Sequence, residues 1–475
     1  MKPALPVVLF ALFTMAVLAP TAACTTTKAP GVCCIGAEDC ARLGLTEDRP
    51  CPQGQACADF QCTVAACSTQ GCAAEAPVCD VAADVCTGCT ASADCSRFAD
   101  TDVCSIETGA CVECLAPADC AAAAEPVCDN GACRGCRLDA ECPSGACGDD
   151  GACVSEAEIV YLSPTGTDAG TCTRGVPCRG LTFAADQTFA SRNHLVMAPG
   201  TYDYGLNPQF LDASTTAAPQ VFVHGSGSSI STTSDAALLT ISVNATLRDL
   251  DLIGGGSVLR LDGTSPIVLE RIRVRDSIFV GIRVGAPVTM RDVRIEMAGT
   301  GISLVNSGRL ILDRGVIRGG VTAIESLGFG TSVEIANLMV FGTSDVALDL
   351  AMSSGGTIES TTIADSGTDA GSGPRAFRCP PAGLTIRSSI IWAPGTITRP
   401  PIDNTCTLVS TIAGPVAVPG ATNSDPRFVE PAANDYHLSA NSPARDAIDT
   451  GPSIDFEGDP RPRGARFDIG ADESP

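Results

Sequence analysis

The chain has 475 residues, among them 27 Cys, 48 Gly, 32 Pro and a single Trp, a length that suggests two to four domains. A formal charge of −24 and the lack of any Lys/Arg-rich run argue against nucleic acid and anionic membrane surfaces as partners. A hydrophobic content of 45% excludes wholesale disorder, and past the N-terminus no apolar run approaches the roughly 18 residues of a membrane span.

Residues 1–23 carry one positive residue, Lys2, then a nearly unbroken apolar stretch from Val7 to Ala19, then Thr21-Ala22-Ala23 before Cys24. This is the grammar of an export signal. Two processing routes fit it: plain cleavage after Ala23, or lipidation of Cys24. Parity favours the second, because cysteines pair in an oxidising compartment and 27 is odd. Setting Cys24 aside leaves 22 between Cys33 and Cys153, plus Cys172, Cys178, Cys379 and Cys406. Thr21-Ala22-Ala23-Cys24 also resembles a bacterial lipobox, with Thr21 in place of the usual Leu or Val. That resemblance implies a lipid anchor at Cys24. It places the exported protein in the cell envelope, as an outer-membrane lipoprotein or on the extracellular surface, with the membrane touched through the lipid only.

The region 24–154 is cysteine-dense. From Cys67 onward it reads C-x(4–5)-C-x(6–8)-C-x(4–6)-C-x2-C, and Cys67, Cys89, Cys114 and Cys136 recur at 22, 25 and 22 residues. The filler residues are Ala, Asp, Gly and Pro, so no unit can bury a core of its own. Disulfides must hold it, each contributing about 2–4 kcal/mol. Spacing leaves their connectivity open. The pairs Cys86/Cys89, Cys111/Cys114 and Cys133/Cys136 also have zinc-knuckle or redox spacing, but export and the lack of a βαβ pattern speak against both. The repeats resemble Cys-rich modules of exported proteins from myxobacteria-like bacteria and, loosely, Dickkopf-type Cys-rich regions. The resemblance implies a spacer or interaction module, a stalk without catalytic residues.

Past Ser155 cysteines nearly vanish and short β-type runs begin. Apolar pairs five apart recur as Leu247/Leu252, Leu269/Val274, Met290/Ile295, Leu312/Ile317, Ile335/Val340, Ile358/Ile363 and Ile386/Ile391, stepping by 22, 21, 22, 23, 23 and 28. A second series, Leu259, Ile282, Ile302, Ile324, Leu348 and Phe377, follows it. A lap near 22 residues with two or three short strands predicts an all-β fold, a parallel β-solenoid. We assign residues 155–235 to its cap and first coils, 236–420 to its coils and 421–475 to a C-terminal capping region.

One and two residues after the first anchor stand Arg248-Asp249, Glu270-Arg271, Arg291-Asp292 and Asp313-Arg314. Stacked at the roughly 4.8 Å strand spacing, each column alternates in sign. Two adjacent side chains cannot both leave a flat strand toward solvent, so these residues are expected at a bend. Each exposed contact is worth about 0–1 kcal/mol, so the ladder specifies register more than stability.

Tyr161-Leu162-Ser163-Pro164, an amphipathic helix over 181–190 and Ala198-Pro199-Gly200-Thr201-Tyr202 resemble the N-terminal cap of right-handed parallel β-helix, pectate-lyase-like proteins. Asp425-Pro426-Arg427-Phe428, Asp435-Tyr436-His437-Leu438, Ser442-Pro443-Ala444, Asp455–Pro462 and Asp468–Glu473 resemble the C-terminal region of bacterial choice-of-anchor Q proteins. These resemblances imply a right-handed parallel β-helix behind a disulfide-rich, loop-dominated N-terminal region, and a surface location without an agreed activity.

Chemistry is sparse. A glycoside hydrolase needs two carboxylates on one face, and a lyase of the pectate type needs a calcium-binding acidic cluster with a base. Asp262, Asp276, Asp345 and Asp349 read as isolated. His194, His224 and His437 show no ligand spacing, and His224 reads as a strand-end residue. Asp455-x-Glu457-Gly458-Asp459 looks superficially like a calcium loop but reads as a capping turn. Carbohydrate binding favours stacking aromatics, but these are few and scattered, and only Tyr202 and Tyr204 share a strand face. No catalytic, cofactor or metal residue is therefore assigned, with calcium the only cofactor to weigh. Cys172 with Cys178 and Cys379 with Cys406 are each predicted to bridge independently of the stalk. The expected function is a structural or adhesive display module contacting cell-surface polysaccharide or another surface protein. The alternative is a polysaccharide lyase or glycoside hydrolase with a non-standard site.

Overall fold

The structure is a computed structural model and describes residues 37–42, 55–58, 60–64, 67, 71–80, 85–297, 299–367, 376–393, 399–403 and 405–475. The export segment and Cys24 lie outside the described residues. The chain divides into two compact units, Met1–Cys120 with Cys128–Cys133, and Ala121–Val127 with Arg134–Pro475. The division runs through the Cys-rich region rather than at its end.

In the first unit the disulfides include Cys67–Cys79 and Cys72–Cys86, Cys89–Cys104 and Cys95–Cys111, and Cys114–Cys128 and Cys120–Cys133. The repeating module therefore holds four cysteines, joined first to third and second to fourth. The two cysteines of each C-x2-C belong to neighbouring modules. Short hairpins such as Val103–Ser105 with Ala110–Val112 carry two of the four. An acid before the second cysteine closes the turn: Asp94 accepts the Thr90 and Ala91 N–H groups at 2.8 and 3.1 Å, and Asp119 does the same for Leu115 and Ala116. These N–H donors hold both carboxyls below the usual range. Backbones pass so closely that a Cβ on Gly88 would lie 2.8 Å from the Gly109 Cα, which leaves room for glycine alone.

The second unit is a parallel β-solenoid. Each coil contributes one long strand with a bend, such as Ala245–Ile253, and one shorter strand, such as Ser257–Leu261. The bent strands build a sixteen-stranded sheet and the shorter ones an eight-stranded sheet. Leu247, Leu269, Met290, Leu312, Ile335, Ile358 and Ile386 are in register before the bend, and Leu252, Val274, Ile295, Ile317, Val340, Ile363 and Ile391 after it. Leu259, Ile282, Ile302, Ile324, Leu348 and Phe377 stack in the eight-stranded sheet, fully buried. All three columns belong to one core. The 22-residue lap is thus one circuit of the solenoid.

The bend has a backbone cause. Asp249, Arg271, Asp292, Arg314, Asn337, Ser360, Ser388 and Ser410 all have φ between 45° and 59°, a left-handed conformation that reverses the strand's direction for one residue. Asn and Asp adopt it readily and Arg does not, so Arg271 and Arg314 hold strained positions.

The helix Leu181–Asp186 buries Leu181, Ala184 and Ala185 in the core at the N-terminal end, beside the Cys172–Cys178 disulfide. Cys379 and Cys406 are joined across two late coils. The fourth disulfide module, Cys136–Cys147 with Cys142–Cys153, belongs to the solenoid's unit. Its Ala146 and Val154 pack on the outward residues Ile159, Tyr161 and Val196 of the first coils.

The C-terminal region covers an outer face. Along the second arm of the bent strands the outward column reads Asp251, Arg273, Arg294, then Val316, Met339, Thr362, Ile390 and Ile412. Tyr436 and Ala471 pack on Met339, Phe341 and Ala364, and Leu438, Ala444, Ile448 and Ile469 on Ile390 and Ile412. The column turns apolar where the C-terminal region lies over it. Arg461, with no exposed side-chain surface, joins Glu473 at 2.9 Å and the Asp468 carbonyl at 2.7 Å, and it reaches the Asn337 side chain at the bend.

Candidate functional site

Two surfaces carry the charged residues singled out in the sequence. In the first column Arg248, Glu270, Arg291 and Asp313 are in register, and Glu270 is shared by Arg248 at 2.9 Å and Arg291 at 3.0 Å. In the second, at the bend, Arg271 pairs with Asp249 at 2.7 Å and Arg314 with Asp292 at 2.6 Å. Arg314 also reaches Asp313, whose other oxygen accepts from the Asn337 amide at 3.1 Å. The ladder therefore continues one coil further as a hydrogen bond. Its charges are spent on one another, and the Asp249 carboxylate raises the pKa of Arg271 further.

The structure brings together two histidines that sequence reading treated as separate. His224 Nδ1 lies 2.8 Å from Asp139 Oδ1, and its Nε2 lies 3.0 Å from His194 Nδ1. Asp139 and His224 are buried, and the His194 ring stacks on Phe222 with centroids 4.6 Å apart. Asp139 Oδ1 also accepts the Cys147 N–H at 2.9 Å, while Asp139 Oδ2 has no hydrogen-bond partner among the described residues. His224 Nδ1 donates to the Asp139 carboxylate, and its Nε2 shares one proton with His194 Nδ1. Burial, reinforced by His224, pulls the His194 pKa down to about 4. Burial alone would raise Asp139; the His224 hydrogen bond and charge outweigh it and hold the carboxyl below its ordinary range.

Sequence reading missed this chain because its members come from a disulfide turn and two strands 30 residues apart. One signal was present. Asp139 occupies the position of Ser92 in an earlier module, where the Ser92 hydroxyl accepts the Cys104 N–H at 3.2 Å. Asp139 keeps that role and adds a buried charge, which a self-contained module would not need.

Beside the chain, a cleft of about 450 Å³ is lined by Asp139, Asp149, Asp150, Arg248, Glu270 and Arg271. Arg248 crosses it to Asp149 and to the Cys147 carbonyl at 3.3 Å. A second cleft of about 620 Å³ lies against the cap helix, lined by Asp168, Arg179, Phe183, Asp186, Asp203 and Phe210 among others. Tyr202 is fully buried and Tyr204 nearly so, so this aromatic pair is not offered to solvent.

His437 is also partnered. Its Nδ1 lies 2.6 Å from Asp435 and its Nε2 3.1 Å from Glu457; burial opposes its charge, but the two carboxylates prevail and raise its pKa to about 9. In the loop weighed for calcium, Asp455 Oδ1 accepts the Glu457 and Asp459 N–H groups at 2.9 Å each, while Glu457 turns to His437 and Asp459 to Arg463. The three carboxylates face different partners. Among the described residues, the groups with metal-ligand spacing are sets of cysteines engaged in disulfides.

No protein-family model matches the chain, and no curated protein does. Among solved structures, pectate lyase Pel9A is similar at 14% identity with a TM-score of 0.44, over 68% of this chain and 98% of that chain. The fold assignment rests on the strand register above.

Proposed function

We propose that the protein is an exported, non-catalytic β-solenoid that presents a contact surface for cell-surface polysaccharide or another surface protein. On this reading it is held in the envelope through a lipidated Cys24, with the disulfide modules as spacer. One observation carries it: the charges of the ladder on the sixteen-stranded sheet are tied in pairs, Glu270 between two arginines and Asp249, Asp292 and Asp313 each to one. Charges so neutralised hold register and are poorly placed for acid–base work. The test is incubation of the purified full-length chain with acidic and neutral polysaccharides, alongside a glycan array. Binding without new reducing or unsaturated ends is expected; release of either kind of end would sink the reading.

The Asp139–His224–His194 chain supports a second reading, a hydrolase or lyase with a non-standard site at the adjoining cleft. A carboxylate and a second imidazole fix the His194 ring, and its pKa of about 4 keeps it unprotonated at neutral pH. Under this reading His194→Gln abolishes whatever cleavage the chain performs.

A further inference from the structure

The eight-stranded sheet carries a different charge pattern from the ladder. Its outward residues Arg260, Arg283, Ser303, Glu325, Asp349 and Arg378 form one column across successive coils. Like charges are neighbours here, Arg260 beside Arg283 and Glu325 beside Asp349, which costs stability within a sheet. The outer two have partners in the chain: Arg260 meets Asp262, and Asp349 meets Arg378 at 2.8 Å. Arg283 and Glu325, both half-buried and one coil to either side of Ser303, have no ion pair among the described residues. Burial raises the Glu325 pKa; a hydrogen bond with the Ser303 side chain offsets part of this, and the Asp349 charge adds to it.

The same two coils carry five exposed apolar residues. Ile278 and Phe279, the latter 62% exposed, precede the strand Val280–Val284 that bears Arg283. Val321 precedes the strand Ile324–Ser326 that bears Glu325, and Leu327 and Phe329, the latter 81% exposed, follow it. Between residues 221 and 392, no other large apolar side chain is exposed among the described residues. The outer faces of the bent strands are partly covered, by the fourth disulfide module and by the C-terminal region.

About Ser303, itself buried, the five central residues read plus, plus, hydroxyl, minus, minus, with Thr240 before them and Arg378 after. Turned by 180° about an axis that runs along the strands through Ser303, this central segment becomes its own complement. That operation sets Arg283 against Glu325 of the second copy twice and Arg260 against Asp349 of the second copy twice. It also sets the Ile278-Phe279 turn against the turn that holds Val321. We propose that this face is a homodimer interface, in which two solenoids pack face to face with antiparallel axes about a two-fold through Ser303. A two-fold interface must be self-complementary, and the centre of this column meets that condition with Arg283 and Glu325, which have no ion pair among the described residues. An acidic polysaccharide drawn to Arg260 and Arg283 would meet Glu325 and Asp349 only two coils further along, so a ligand of one sign fits the face less well than the chain itself.

The test is light scattering or sedimentation of the full-length chain over a range of concentration and salt. Wild type is expected to dimerise, more weakly at high salt. Arg283→Glu alone and Glu325→Arg alone are each expected to weaken dimerisation at least about tenfold through like-charge contact, and the double reversal to restore it to within about threefold of wild type. Unfolding midpoints check that the variants fold; should a single reversal misfold, Arg283→Gln and Phe279→Ser take its place, each expected to weaken the dimer. A wild type that stays monomeric, single reversals that dimerise like wild type, or a double reversal that fails to recover each overturn the proposal. So does a monomer that binds polyglucuronate through Arg283. Dimerisation is independent of polysaccharide cleavage, so this proposal and the proposed function stand or fall separately.

Discussion

At the scale of single residues, the buried contacts of His194, His224 and Asp139 set how the second unit responds to pH. A histidine whose folded pKa is depressed leaves the folded state with fewer bound protons than the unfolded one. Stability then falls as the pH drops. For His194, at about 4 against an ordinary value of 6.5, the loss is expected between pH 6.5 and pH 4, and Asp139 adds to it below its own ordinary value. His437 has the opposite sign. Raised from 6.5 to about 9, it contributes stability that is present below pH 6.5 and is lost as the pH rises through 9. Urea unfolding across this range should show both flanks, with His194→Gln flattening the acid side and His437→Gln the alkaline side. Unchanged pH profiles in these variants would contradict the assignment. Removing His224 strands the Asp139 carboxylate, and His224→Ala is expected to cost about 3–5 kcal/mol in the same assay.

At the scale of elements, the bend column decides which substitutions are tolerated. Arg314 pays a conformational cost and recovers part of it through Asp292 and Asp313. Arg314→Asn keeps a residue suited to left-handed backbone and loses only partly exposed ion pairs, so a loss of at most about 1 kcal/mol is expected. Arg314→Val keeps the strain, removes the pairs and adds a β-branch, for which about 1–3 kcal/mol is expected from the chemical-denaturation midpoint. In the core column, Leu312→Ala should cost about 2–5 kcal/mol by opening a cavity between adjacent coils. Peptide mapping without reduction should find Cys172 with Cys178 and Cys379 with Cys406, and within the modules first-to-third and second-to-fourth pairs. Much of this was legible in sequence, because one coil is one lap and every inward anchor repeats with it. The ladder was legible for the same reason. The bend's backbone was legible only as a conflict, two adjacent charged residues that could not share a flat strand, and Asn337 and Ser360 gave no charge to mark its continuation. What lay beyond reading were contacts between segments with no shared period, such as Asp139 with His224 or Arg461 with Asn337.

At the scale of the whole second unit, the solenoid's bent strands are dressed by sequence that comes before and after them. The C-terminal region buries Met339, Phe341, Ile390 and Ile412, residues that would otherwise form an apolar strip along the sheet. Deleting residues 425–475 is therefore expected to yield a chain that forms its coils yet aggregates, seen as β-type circular dichroism with increased dye binding and light scattering. A soluble, monodisperse deletion product would show that the strip tolerates water.

The docking of the fourth disulfide module also has a mechanical side. Tension arriving from residue 134 reaches two bridges first, Cys136–Cys147 and Cys142–Cys153, which do not lengthen. The module's non-covalent holds come next, among them Asp139 on His224, the Ser144 carbonyl on the Tyr161 hydroxyl and the Pro143 carbonyl on Arg174. These are spread over three segments, so the module's detachment would load several bonds rather than one. A pull from the N-terminal side would spend itself on lifting this clasp before the strand Ile159–Leu162 could peel from its neighbour, which makes the junction a built-in strain relief for the coils behind it.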